Sequence, residues 1–172
     1  MTSRNEIEHV RATVKAPFGT LTVVASSVGV RFCMFDNETH PKNLDELRIT
    51  DDATHPYIAP AVLQLSEYFG GQRQSFDLSL DLHGTEFQRD AWRALANVPY
   101  GQTWSYAQQA ASIGRPTATR AIGAANGRNP VAVILPCHRI IGANGALTGF
   151  GGGIGVKQWL LEHERHALSG QS

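Results

Sequence analysis

Thr117–Ile141 reads TATRAIGAANGRNPVAVILPCHRII. Its first part, through Gly127, is rich in Ala and Gly and follows Pro116, a residue suited to the start of a helix. Asn129-Pro130 then breaks the pattern. Val131–Pro136 is a short apolar run, which predicts a buried strand. The run ends abruptly in Cys137-His138-Arg139, a thiol, an imidazole and a guanidinium side by side. A cysteine placed so reads in two ways: a small hydrophobe in the core, or a thiolate whose pKa is lowered by a neighbouring base or cation. Pro136 and the change from apolar to polar favour a site at a strand end. On a strand, successive side chains point to opposite faces, so His138 reaches the sulfur only through a turn or a bridging water.

Helices surround this stretch. Thr85 is placed to cap Glu86–Val98, where Phe87, Ala91, Trp92 and Leu95 form one face. Pro99-Tyr100-Gly101 reads as a turn. Thr103–Ile113 reads as a second helix closed by Gly114, and Gly114-Arg115-Pro116 joins it to the small-residue helix. That pair resembles a helix-turn-helix. A glycine-rich loop, Gly142–Gly155, and an amphipathic helix, Val156–Leu168, close the chain.

The first half reads differently. Thr13–Phe35 carries apolar runs rich in Val, Thr and Phe, broken by turn signals at Pro17–Gly19 and Ser26–Gly29, which predicts an antiparallel meander. Asp36–Asn43 and Thr50–Pro60 read as polar, proline-containing loops. Pro60–Phe69 has helical spacing at Val62, Leu65, Tyr68 and Phe69, and Gly70-Gly71 ends it. Phe76, Leu78, Leu80 and Leu82 alternate with polar residues, the period of a half-buried strand. The expected organisation is a small α/β lobe over residues 1–84 and a mainly helical domain over 85–172.

Bulk properties narrow the classes. The 172 residues suffice for one domain or two small lobes. Fifteen basic and fifteen acidic residues give a net charge of zero, which favours no partner by field alone, though it can conceal a local basic patch. Two cysteines, Cys33 and Cys137, are too few for a disulfide framework. The ligand spacings of a zinc site are missing, so no metal and no cofactor is expected. Met1–Val10 is polar and lacks the apolar core of a signal peptide, and no apolar run approaches membrane length. The expectation is a cytoplasmic protein with reduced thiols.

Taken in order, Gly84–Gln88, Pro99–Gly101, Ser105-Tyr106, Arg120-Ala121, Asn129-Pro130, Pro136–Arg139, Lys157 and Leu160–Glu164 resemble the signature of the O6-alkylguanine-DNA alkyltransferases, a family of direct-reversal repair proteins. The match spans essentially the whole second half. In the first half only Ala16–Ala25 resembles the family's early hairpin. The resemblance implies an α+β fold of two lobes, the first ribonuclease H-like and the second winged helix-turn-helix-like and carrying the reactive cysteine. It implies a monomer that binds double-stranded DNA in the minor groove and flips the damaged base. The alkyl group would pass irreversibly to the protein, once per molecule.

The same resemblance assigns roles. Cys137 is the alkyl acceptor. His138 takes its proton through a water, and Glu164 orients and charge-stabilises the imidazole. Spacing alone reads Glu164 as a solvated residue of the last helix. Tyr106 donates to the purine as the leaving group departs, and Asn129 supports the turn before the cysteine. Arg120 fills the vacated base stack, with Ala118 and Gly123 among the small residues allowing close approach. Gln108, Arg115 and Arg128 join the DNA face. Phe150, Gly151 and Gly152 line the substrate pocket. Phe150 stands where many relatives have tyrosine, and Gly151 where some have serine. The glycines suggest a roomy or mobile wall that tolerates alkyl groups larger than methyl. Two other readings carry less support: a lesion-binding protein without transfer, whose like lack the acceptor cysteine, and a cysteine hydrolase, for which no signature is present.

Overall fold

The meander forms. In a computed structural model, which describes residues 8–36, 44–45 and 47–170, β1 (Glu8–Ala16) and β2 (Gly19–Ala25) pair antiparallel from Val10↔Ala25 to Ala16↔Gly19. Pro17-Phe18 is the two-residue hairpin turn, and Gly19 leaves it at φ 140°, a value that glycine tolerates best. β3 (Val30–Phe35) pairs antiparallel with β2, with a register shift at Val24/Ala25.

A fourth strand, β4 (Arg48–Asp51), lies parallel to β1 and completes the order β3-β2-β1-β4. The sequence reading had no strand there and assigned Thr50 and Asp51 to a loop. Arg48-Ile49-Thr50-Asp51 is mostly exposed and offers no apolar alternation. Backbone pairing to β1 makes the strand, helped by an ion pair from Arg11 Nε to Asp51 Oδ1 at 2.9 Å. The expected loop over Asp36–Asn43 falls, beyond Asp36, outside the described residues, as do residues 1–7.

α1 (Ala59–Phe69) has proline in its first turn and Gly70 at its C-cap, as its sequence demands. Ala61, Gln64, Leu65 and Tyr68 are its buried stripe. The predicted strand Phe76–Leu82 is corrected to an extended segment with one bridge, Val30↔Leu80. Its alternation is real, since Leu78 and Leu80 are half-buried while Asp77 and Ser79 are exposed, but its backbone is held by Val30 and by the Gln64 side-chain amide at Asp77, not by a strand ladder.

α2 (Glu86–Ala94) starts with the capping box Thr85/Gln88, and a short 3₁₀ turn, Leu95–Asn97, extends it. The helix expected from Thr103 begins later. Trp104-Ser105 is strand β5, Ser105 caps α3 (Tyr106–Ser112), and Gly114 at φ 73° turns the chain. α4 (Thr119–Gly127) follows, confirming the helix-turn-helix. A reciprocal amide pair locks it: Gln109 Nε2 donates to Asn126 Oδ1 at 2.9 Å, and Asn126 Nδ2 donates to Gln109 Oε1 at 2.7 Å. Gln109 Nε2 also reaches Ala91 O, and Trp92 Nε1 donates to Ala125 O, so α2 holds both helices.

Val131–Pro136 is not the expected strand. Val131 makes one bridge to Cys33 on the outer edge of β3, and the chain then folds on itself, Ile134 N donating to Ala132 O across Val133. Val133 has φ 71°, a costly value for a β-branched residue. The run is apolar because it is buried, not because it forms a ladder. The 3₁₀ turn Cys137–Arg139 comes next, then β6 (Ile140-Ile141), which pairs parallel with β5, and finally α5 (Ile154–Ser169). One core joins both halves, running from Val23, Cys33, Leu65 and Tyr68 to Leu95, Val131 and Leu160. The architecture is α+β, a small sheet domain with a helical domain.

Replacing Gln109 by methionine keeps its volume but leaves the Asn126 amide and Ala91 O without their partner. Urea unfolding should show a loss of about 1–3 kcal/mol. An unchanged midpoint would mean that apolar packing alone orients α3 on α4.

Candidate active site

The 3₁₀ turn decides the site's geometry. Cys137 is 7% exposed and His138 is fully buried. On this turn, unlike on a strand, neighbouring side chains do not alternate between two faces. Asn129 fixes the approach: its Nδ2 donates to Leu135 O at 2.8 Å and its Oδ1 accepts from Val131 N at 3.0 Å.

Glu164 is fully buried, not solvated as spacing suggested. Its Oε2 accepts from His138 Nε2 at 2.7 Å and from the Tyr68 hydroxyl at 2.7 Å. Arg139 donates through Nε to Oε1 at 2.8 Å and through Nη2 to Oε2 at 3.0 Å, a two-pronged clamp. Gly101 N completes the set at 3.1 Å. Arg139 Nη1 binds Val98 O at 2.8 Å, and the guanidinium lies 5.5 Å from the Tyr100 ring centroid. Arg139, 6% exposed, is thus a structural group of the site.

These contacts set the charges. Burial alone would raise the Glu164 pKa, yet His138 and Arg139 hold the carboxyl far below the usual carboxylate range. Burial lowers the His138 pKa and outweighs the opposing pull of Glu164. The imidazole is therefore neutral near pH 7. A carboxylate only accepts, so Nε2 carries the proton and Nδ1 keeps its lone pair. Nδ1 is buried and has no hydrogen-bond partner among the described residues. Burial, with the Glu164 charge beside it, pushes the Tyr68 phenol well above its usual range.

Lys157 is a further buried cation, 1% exposed. Its Nζ donates to Ile140 O, and to Thr148 O at 3.0 Å. Burial lowers its pKa, and the charge of Cys137 works in the opposite direction, which brings an ammonium into the thiol's field. Sequence reasoning gave no role to Lys157 or Tyr68. Lys157, Leu160, Leu161 and Glu164 share the buried stripe of α5 at helical spacing, and two charges on such a stripe are the signal that would have found them.

The remaining candidates belong to α3, α4, their flanks and the glycine-rich loop. The Tyr106 hydroxyl is 2.7 Å from Thr148 Oγ1. Arg120, Ala121 and Ala124 are exposed on α4, with Arg128 just beyond its end, while Ile122 and Ala125 are buried. Ala118 is the half-buried N-cap of that helix, and a Cβ on Gly123 would lie 3.8 Å from the Tyr106 ring. Arg115 is exposed, its guanidinium 5.6 Å from the Phe87 centroid. Gln108 is exposed too, but its Oε1 is engaged by Ser105 N at 2.8 Å in the α3 cap. Phe150 is buried, its ring edge-on to Phe35 at 5.3 Å, and Gly151 follows it half-buried. Gly152 lies so close to Phe35 that a Cβ would sit 2.9 Å from the ring. There the missing side chain serves close packing on the N-terminal sheet.

The scaffold and site together define a protein in which a buried cysteine, followed by a histidine paired with a carboxylate, accompanies a helix-turn-helix. Two family models match, the ribonuclease-like domain of 6-O-methylguanine DNA methyltransferase over residues 10–82 and its DNA-binding domain over residues 86–166. A methylated-DNA–protein-cysteine methyltransferase of Mycolicibacterium paratuberculosis is 48% identical over 89% of this chain and 90% of its own length. A namesake from Methanosarcina acetivorans is 40% identical over 89% and 96%. The crystal structure of Mycobacterium tuberculosis OGT in complex with DNA superposes with a TM-score of 0.82 at 42% identity, over 94% of each chain. The chain belongs to the methylated-DNA–protein-cysteine methyltransferase family.

Both pKa shifts make acid destabilising. His138 falls below its ordinary 6.5, so the unfolded chain takes up that proton first, and its contribution is present above about pH 6.5 and lost below. Glu164 is depressed from 4.5, so its contribution is present above about pH 4.5 and lost as pH falls further. Urea midpoints should decline from pH 7 to pH 4, and Tyr68→Phe, one donor short at Glu164, should flatten the fall below pH 4.5. A midpoint that rises between pH 6.5 and 4.5 would contradict the assignment.

Proposed function

We propose that this protein repairs O6-alkylguanine in duplex DNA by transferring the alkyl group to Cys137, once per molecule. The observation that carries the reading is the buried His138–Glu164 pair beside the buried Cys137 in sequence, with a neutral imidazole whose Nδ1 can accept a proton. Nδ1 takes the thiol proton through a bridging water. The thiolate sulfur forms a bond to the alkyl carbon as the carbon–oxygen bond breaks. The bonding pair stays on the purine, where the Tyr106 hydroxyl donates to a ring nitrogen. Glu164 keeps the imidazole in its productive tautomer and stabilises the imidazolium as it forms.

The DNA face is the exposed side of α4. Arg120 enters the base stack when the damaged nucleotide is extruded, and Ala121 and Ala124 let the helix approach the minor groove. Ala118 and Gly123 keep the rest of α4 slim, Arg115 and Arg128 meet phosphates, and the Gln108 amide nitrogen is the part of that side chain left to reach DNA. Few contacts, mostly to backbone, suit a chain with no net charge. Phe150, Gly151 and Gly152 form the pocket wall. Residues 1–84 serve as the supporting lobe and 85–172 as the reactive one, a division supported by the separate spans of the two family models. No described helix is long and apolar enough to cross a membrane. The protein acts as a cytoplasmic monomer.

Incubation with a duplex carrying one O6-methylguanine should add a single methyl group to the intact mass, on the Cys137 peptide, and add none to Cys137→Ser. An unchanged mass in the native protein would leave only lesion binding, and release of a hydrolysed product would indicate a hydrolase. Arg120→Ala should slow repair in duplex DNA by about tenfold or more. Its reaction with free O6-benzylguanine should stay within about twofold, since no base has to be flipped. Equal losses on both substrates would remove Arg120 from the base stack.

A further inference from the structure

Thr148 is exposed in the middle of the glycine-rich loop that follows β6, and the function above does not use it. Its hydroxyl is nonetheless 2.7 Å from that of Tyr106. Its carbonyl is held by Lys157 Nζ, which also grips Ile140 O. Ile140 begins β6, which pairs with Trp104 and Ser105 of β5, and Ser105 caps the helix whose first residue is Tyr106. The hydrogen bonds therefore close a circuit: Tyr106 to Thr148, Thr148 to Lys157, Lys157 to Ile140, Ile140 across the two-stranded sheet, and back to Tyr106. Cys137 stands three residues before Ile140 on the same turn. The circuit ties the position of the phenol to that of the sulfur.

We infer that Thr148 is a positioning residue for the leaving group, acting through Tyr106. This rests on the reading of Tyr106 as donor to the purine. A phenol has one proton to give. If that proton goes to a ring nitrogen, the phenol oxygen can still accept, and Thr148 Oγ1 is at hydrogen-bond distance to donate to it. Donation from Thr148 aims the phenol and strengthens it as a donor, because chained hydrogen bonds polarise one another. Without the threonine hydroxyl, the phenol rotates among orientations and water competes for it. A surface threonine with a purely local role would use its hydroxyl on its own loop; this one spans 42 residues to α3.

The test is a cycle of variants in single-turnover methyl transfer from an O6-methylguanine duplex, with DNA concentration varied. Thr148→Val, which keeps the shape and loses the hydroxyl, should lower the limiting rate about five- to tenfold. The half-saturating DNA concentration should not change. Thr148→Ser should restore the rate to within about twofold. In a Tyr106→Phe background, Thr148→Val should have no further effect, because the group it acts through is gone. A wild-type rate for Thr148→Val, or losses that multiply in the double variant, would overturn the inference while leaving Tyr106 in place. A wild-type rate for Tyr106→Phe alone would instead sink the leaving-group reading, and the role of Thr148 with it. Thermal midpoints of all variants, matched to within a few degrees, separate these outcomes from loss of fold.

Discussion

The Glu164 carboxylate is the point on which the structure turns. It is fully buried, and a buried charge is tolerated only when donors surround it. Four residues from three places supply them: Tyr68 on α1, Gly101 in the turn before β5, and His138 and Arg139 on the 3₁₀ turn, all meeting a residue of α5. Removing one partner of a buried ion pair typically costs about 3–5 kcal/mol, so the carboxylate holds these elements to one arrangement. The same contacts fix the tautomer of His138. Stability and chemistry are thus joined at one atom pair, His138 Nε2 and Glu164 Oε2. Arg139 bears on the imidazole through Glu164, which its two-pronged clamp keeps ionised.

The N-terminal lobe is part of this site and not an appendage. The β3 edge pairs through Cys33 with Pro130–Ala132, the segment leading to the cysteine turn, and through Val30 with Ser79–Asp81. Tyr68 passes its hydroxyl across to Glu164, and Phe35 packs on Phe150 and Gly152 in the pocket wall. The strained Val133 sits between the Cys33 pairing and the 3₁₀ turn. A β-branched residue holds a positive φ only when its surroundings dictate it. Here Asn129 grips both ends of that turn, at Val131 and Leu135, and the β3 edge anchors its start.

How much of this the chain revealed depended on whether the signal was local. Hairpin, caps and helix ends are written in adjacent residues, such as Pro17–Gly19, Thr85 with Gln88, and Gly114 after α3, and these were legible. Val131–Pro136 and Phe76–Leu82 were misread as strands because burial selects apolar residues whether or not a ladder forms. β4 was invisible because its pairing lies in the backbone of β1, not in its own side chains. At the site, Cys137 announced itself by composition, and the ordered motifs carried the rest. Spacing alone left Glu164 in solvent and Lys157 without a role, since a helix displays its stripe only when charges are allowed a place on it; the resemblance set Glu164 beside His138. The role of Arg139 was unreadable, because a guanidinium on a long, flexible stem reaches partners that sequence does not name.

The depth of the thiol fits chemistry that runs once. A nucleophile in a turning-over hydrolase forms an ester or thioester, whose carbonyl a water then attacks, and the base that removed the first proton activates that water. A thioether has no carbonyl. Its carbon–sulfur bond gives water no electrophilic centre of comparable reactivity, so the imidazole has no second task. That removes the need for solvent at the sulfur, and Cys137 is 7% exposed while His138 is wholly buried. Low solvation favours the neutral imidazole and strengthens the attraction between the Lys157 ammonium and a charge on Cys137. A site released from the requirement to reset can place its nucleophile where it is most easily activated, and in this fold that place is the buried turn between the β3 edge and α5.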